Sequence, residues 1–466
     1  MRRFALLLAA ATLPASAMAA PPKTPSAAAE AQVLELSRQA LAIRSVRGEG
    51  NRTIDVAKLY KQALLGAGWA DEDVEITPVD DTAYLVATWP GSDPKLKPLV
   101  ISGHMDVVEA NPKDWTRDPF TPVVENGYLY GRGASDQKFS MVLAMVGLME
   151  LRKGGYQPKR TIVIAFSGDE ETTMKTGRIL ADRFAHADMV LNTDGSGGAL
   201  EEGTGKPLFW TWDGGEKTYV DIKLEVTNPG GHSSAPRADN AIAQLSTALA
   251  RIGAYRFKAE QNPLTKAYFE KAAQFESDPK LAAAMRAFAA NVNDVAAVAT
   301  LRANTGYVGK VGTTCVPTMV HGGHAENALP QRATANVNCR VFPGHTRAQI
   351  IAELQQVAGV PEVKFSDVTG DTATESDASP MRADFLAAVD KAMAASWPKV
   401  PVIPSQSSGA SDSMWYRAKG VPSYGISPIF IKDSDDFSHG LNERVELRNI
   451  RPGLIYYFSL LPALSK

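Results

Sequence analysis

The chain has 466 residues, 44% hydrophobic and 21% charged, with a formal net charge of −2. That length exceeds one ordinary core, so two domains are expected, and the composition is that of a globular protein. The near-neutral balance offers no strongly basic face, so nucleic acid is not an expected partner.

The first 19 residues read as an export signal. Arg2 and Arg3 make a positive start, "FALLLAAATL" a short apolar centre, and Ala17-Met18-Ala19 a small-x-small cleavage site ahead of Pro21 and Pro22. The apolar run is too short to span a bilayer, and no later stretch is long and apolar enough. The mature protein is therefore expected to be exported, periplasmic or secreted, with no membrane partner.

Residues 28–43 and 51–68 carry helical periodicity, and the strand-like runs "DVEITPV", "AYLVATW" and "PLVISGH" follow. A helix over 141–153 stops at Gly154-Gly155. "TIVIAF" (161–166) and "DMVLNTD" (188–194) read as buried strands on either side of a short helix. Strands alternating with helices imply an α/β fold with a mostly parallel, covered sheet.

The pattern changes near Gly214-Gly215. "KTYVDIKLEV" (217–226) alternates apolar and polar, as a strand with one wet face does. A helix, an Ala-rich helical segment over 263–299 and two alternating strands, "TTCVPTMVHG" and "RATANVNCRVF", come next. Near Pro380 the α/β style resumes. The division that follows is a catalytic domain over 28–214 and 343–466, interrupted by an inserted α+β unit over 215–342.

The stretch "SGDEETT" ends a buried strand on three adjacent carboxylates, Asp169, Glu170 and Glu171. Such a run is cheap in a solvated turn and costly beside a core unless a cation is near. Other motifs at strand ends favour the cation. "ISGHMDVV" supplies His104 and Asp106, "GRGASDQK" supplies Asp136, "LNTDGS" supplies Asp194, and "FSHGLNE" supplies His439. All fall on the rim where open α/β sheets place ligands. Two imidazoles among several carboxylates form a nitrogen/oxygen donor set suited to zinc. His186, His321, His324 and His345 read as turn or structural residues.

In order, "GHMDVV", "GRGASDQK", "SGDEET", "NTDG", "GGHSS", "NALPQRATANVNCR" and "SHGLNE" resemble the dizinc metallopeptidase family of glutamate carboxypeptidase, acetylornithine deacetylase and carnosine dipeptidase. The closest flavour resembles the carboxypeptidase S and N-acyl-amino-acid hydrolase branch. The resemblance implies two zinc ions, with cobalt or manganese as alternatives. His104 and Asp194 would hold one ion, Glu171 and His439 the other, and Asp136 both. Asp106 would steady His104, and Glu170 would be the general base. His232 would reach a partner's site across a homodimer formed by the inserted lid. Asn327, Arg340 and the Gly409 loop would grip a substrate carboxylate. Asp169 is left as a structural acid bonding backbone.

The implied reaction is amide cleavage in a small peptide or N-acyl amino acid, by a hydroxide held between the zinc ions. Asp194, where the glutamate carboxypeptidases carry Glu, leaves carboxypeptidase, dipeptidase and acyl-amino-acid hydrolase open. A catalytically inactive binding protein on the same scaffold is the alternative from another class. No Gly-x-Ser-x-Gly elbow follows a strand, which argues against a serine hydrolase. The two cysteines, Cys315 and Cys339, fall opposite each other in a hairpin centred near position 327, so a disulfide is expected. Two buried free thiols are the alternative.

Overall fold

A computed structural model of the chain describes residues 21–466, so the expected export signal lies outside the described residues. Two sheets organise it. The strands of the larger are β1 (Val74–Val79), β2 (Thr82–Trp89), β3 (Leu99–His104), β4 (Ile162–Ser167), β5 (Met189–Asn192), β6 (Gly198–Leu200) and β7 (Pro207–Glu216). The chain then builds the second sheet from β8 (Thr218–Thr227), β9 (Thr314–Gly322), β10 (Arg332–Val341) and β11 (Lys364–Asp367). It returns to the first with β12 (Val402–Ser407), β13 (Ser423–Gly425) and β14 (Phe430–Ile431).

The larger sheet runs β1-β2-β4-β3-β5-β13-β7-β6-β14, with β12 beside β7. Strand β3 is parallel to both β4 and β5, and β13 is parallel to β5. Every residue of β3, β4 and β5 is buried, as a strand covered on both faces requires. Their alternate side chains feed two cores. Leu99, Ile101, Ile162, Ile164 and Phe166 pack beneath the helices α1 (Ala27–Leu41), α2 (Thr53–Gly66) and α3 (Lys138–Lys153). Val100, Val163, Ala165 and Val190 face the opposite layer, which contains α4 (Lys175–Arg183). The expected α/β architecture is present, with parallel strands at the centre and an antiparallel hairpin at one edge.

The smaller sheet runs β9-β10-β8-β11. Strand β8 buries Val220, Ile222, Leu224 and Val226 under two helices, α5 (Ala241–Ala254) and a later one over Arg347–Ala358. Its intervening residues face outward, so the period-two pattern of the sequence becomes one dry and one wet face.

The 215–342 division needs correcting in two places. The small sheet does not stop at Phe342: the helix Arg347–Ala358 covers its dry face, and β11 pairs with β8 through Asp367. The Ala-rich segment does not belong to this sheet. Its helices α6 (Pro263–Ala272), α7 (Pro279–Ala290) and α8 (Val295–Arg302) bury Phe269, Met285, Phe288 and Leu301 against Ile403 of β12, with Phe209 of β7 packed alongside. Helical apolar faces were legible along the chain. Which sheet they cover is decided in space.

Cys315 and Cys339 face each other in the β9–β10 register and form a disulfide. A bulge between Pro317 and Met319 shifts the pairing by one residue beyond them, so the expected register holds where the cysteines sit and slips nearer the turn. Thiol titration of the unreduced, denatured protein is expected to find no free thiol. Replacing both cysteines with Ser is expected to lower stability by about 2–4 kcal/mol in denaturant unfolding.

Candidate metal centre

The carboxyl ends of β3, β4 and β5 carry His104, the Glu170–Glu171 pair and Asp194, and the segment before α3 carries Asp136. Asp136 lies at the middle. His104 Nε2 is 3.2 Å from its Oδ1, and His439 Nε2 is 3.1 Å from its Oδ2. His439 Nε2 also lies 2.9 Å from Glu171 Oε1, and His104 Nε2 lies 3.9 Å from Asp194 Oδ2. Ligand atoms of His104, Asp136 and Glu171 come within 4.8 Å of one another. The structure thus brings together all five residues singled out as metal ligands.

The His104 ring is oriented from behind. Its Nδ1 lies 3.1 Å from the main-chain oxygen of Asp106. A carbonyl only accepts, so Nδ1 donates to it and Nε2 is turned toward Asp136. The Asp106 carboxylate does a different job from steadying the ring alone. Its oxygens accept the amides of Glu170 at 3.1 Å and Glu171 at 3.0 Å, fixing the turn that bears both acids. Asp169 points away from the cluster and accepts the Lys175 and Thr176 amides at 2.8 and 2.9 Å, which caps α4.

Electrostatically the cluster is short of positive charge. Asp106, Asp136, Glu170, Glu171 and Asp194 face two imidazoles, and among the described residues none of the five pairs with Lys or Arg. Burial pushes the Glu170 and Asp194 carboxyls well above the usual carboxylate range. Burial would raise Asp136 too, but hydrogen bonds from His104 and His439 hold it below that range. Hydrogen bonds to Asp136 and then Glu171 lift His439 to about 10. A nitrogen/oxygen donor set with surplus negative charge fits divalent cations.

The other expected site residues form two groups away from this cluster. His232 pairs with Ala328 in a short ladder, and the Ser233 amide donates to the Asn327 carbonyl at 3.0 Å. Both His232 and Asn327 are exposed, and His232 Nδ1 bonds Ser234 Oγ at 2.7 Å. Arg340 lies on β10 with its guanidinium 4.8 Å from the Tyr219 ring centre, and its Nη1 is 3.5 Å from the Ser408 carbonyl. It therefore meets the loop of Gly409, whose amide donates to Ser407 Oγ at 3.0 Å.

Two buried acids were not anticipated. Asp412 accepts a hydrogen bond from Ser167 at the end of β4, and burial pushes its carboxyl up to about 7. Glu443 sits in the quoted "SHGLNE" motif without an assigned role, and its spacing from His439 was the available signal.

A family profile described as peptidase family M20/M25/M40 matches residues 100–463, which span the whole cluster. The chain belongs to that family. It is a hydrolase acting on peptide or amide bonds. Probable carboxypeptidase S-like 2 of Dictyostelium discoideum is 27% identical to this M20 chain, over 82% of it and 74% of the relative. N-fatty-acyl-amino acid synthase/hydrolase PM20D1 of Mus musculus is 27% identical over 80% of the chain and 75% of the relative. The crystal structure of the M20 metallo-carboxypeptidase Sso-CP2 from Sulfolobus solfataricus superposes with a TM-score of 0.69 at 17% identity, covering 92% of this chain and 98% of that one. That likeness establishes the shared fold.

Burial alone would lower His104, but hydrogen bonds to Asp106 and Asp136 raise its imidazole well above the usual range, and His439 is lifted to about 10, whereas metal ligation needs neutral imidazole. Metal uptake at pH 7 is therefore expected to release protons, and affinity should rise with pH. Calorimetry of zinc binding in two buffers of different ionisation enthalpy measures the release; none at pH 7 would contradict this reading.

Proposed function

We propose that this chain is an exported dizinc exopeptidase or amidohydrolase that cleaves an amide bond in a small peptide or N-acyl amino acid bearing a free carboxylate. The observation that carries it is Asp136, whose two oxygens face His104 and His439 while Glu171 and Asp194 flank them. His104, Asp136 and Asp194 would hold one ion, and His439, Asp136 and Glu171 the other. When bound, the pair supplies Lewis acidity and lowers the pKa of a water. Glu170, its backbone fixed by Asp106, takes a proton from the attacking water and delivers it to the leaving nitrogen. Arg340 offers a planar fork that matches a carboxylate, and Asn327 and the Gly409 loop complete the grip. His232 of a second copy donates to the developing oxyanion.

Two features support the homodimer. His232 is exposed and makes no hydrogen bond to its own chain's cluster among the described residues. Strand β9 is an edge, and it exposes Val316 by 56%, Met319 by 57% and Val320 by 64%. An apolar open edge invites pairing with another chain. Export is supported by the N-terminal signal pattern and by the disulfide, which suits an oxidising compartment.

Activity on a panel of dipeptides and N-acyl amino acids should vanish on chelation and return with zinc. Activity that survives complete metal removal would refute the reading. Glu170→Ala is expected to keep both ions and lower kcat by about 10²–10⁴-fold. Retention of most of the activity would remove Glu170 from the base role.

The dimer is tested by sedimentation. The wild type should sediment as a dimer, and Met319→Glu/Val320→Arg should yield an inactive monomer. A fully active monomer would overturn the role given to His232.

A further inference from the structure

Glu443 lies four residues beyond His439 and is fully buried. Its carboxylate accepts five hydrogen bonds, all from the segment that ends in Asp136. Oε2 takes Arg132 Nη1 at 2.5 Å and the Gly133 amide at 3.0 Å. Oε1 takes the Ser135 amide at 2.8 Å, Ser135 Oγ at 3.0 Å and the Asp136 amide at 3.0 Å. Two further bonds run in the same direction: Arg132 Nη2 donates to the Gly440 carbonyl at 3.1 Å, and the Gly131 amide donates to the Glu443 carbonyl at 3.0 Å. Two separate backbones, one bearing Asp136 and the other His439, are thereby joined.

A buried ion pair needs only Arg132. Here three of the five donors are main-chain amides leading into Asp136, and one is the amide of Asp136 itself. Fixing that amide fixes the direction in which the Asp136 side chain leaves the backbone. Asp136 must present opposite oxygens to His104 and His439, so a small rotation of its backbone would spoil both contacts. We propose that Glu443 is a positioning residue of the metal centre, clamping the Asp136 segment to the His439 turn so that one carboxylate serves both metal positions. This rests on the metal-centre reading above.

Glu443→Gln keeps the side-chain shape but replaces one accepting oxygen with a donor and leaves Arg132 without its counter-charge. Arg132→Met/Glu443→Gln removes both charges and guards against misfolding of the single variant. Each protein is checked by circular dichroism, loaded with metal and titrated against a chelator. Cobalt-substituted samples are examined for magnetic coupling between the two ions.

The wild type should hold two ions and show coupling. Folded variants should lose about 10–100-fold in affinity for at least one ion, as loss of a ligand's supporting partner typically does, and lose the coupling. A folded variant that holds two coupled ions as tightly as the wild type overturns the proposal. So does failure of both variants to fold, which would make Glu443 a residue of the fold alone. A wild type that takes up no metal would instead sink the metal-centre reading, and the clamp with it.

Discussion

The constraint on which the rest depends is the crowding of negative charge at one rim of the large sheet. At an effective dielectric of about 20, two like charges about 4 Å apart repel by about 4 kcal/mol. The chain gathers Asp136, Glu170, Glu171 and Asp194 there, and among the described residues no Lys or Arg pairs with them. Lys138, two residues beyond Asp136, instead bonds its ammonium to the carbonyls of Ala40 and Ile43. Divalent cations and a rigid frame would sustain such a cluster. The parallel order of β3, β4 and β5 supplies the frame, because it delivers their carboxyl ends side by side.

Around that rim the polar work is divided by distance from the centre. Asp106 fixes the amides of the two glutamates, Asp169 caps the helix that follows them, and Glu443 gathers the amides that lead into Asp136. Each of these buried carboxylates accepts at least two main-chain amides, so each sets backbone position as well as charge.

Much of this was legible in the sequence because it is local. The "TIVIAF" run had to be a covered strand, and the acids that follow it had to be at its end. The alternation in "KTYVDIKLEV" had to give one wet face. What escaped is what depends on packing between distant segments. Nothing in residues 263–299 states that their apolar faces will meet Ile403, more than 100 residues on. Nothing in "SHGLNE" states that Glu443 will accept amides some 300 residues upstream. The bulge between Pro317 and Met319 is a middle case: Pro317 could hint at an irregular ladder, but not at which side of the cysteines the slip would fall.

The loop over residues 407–413 ties the two sheets into one reactive unit. At one end Arg340 of the small sheet meets the Ser408 carbonyl. At the other, Asp412 accepts from Ser167, the last residue of the strand that leads to Glu170. Between them Ser411 donates to Glu216, which is paired with Arg417 at 2.7 Å, while Asn192 holds Ser411 Oγ at 3.1 Å next to the Asp194 turn. Only Lys217 separates β7 from β8, so the sheets are also joined by the shortest of hinges. A carboxylate held by Arg340 would therefore be registered, through the buttressed loop, against the same strand ends that carry Glu170 and Asp194. On the proposed reaction, such a carboxylate would orient the scissile amide on a frame shared by Glu170 and Asp194.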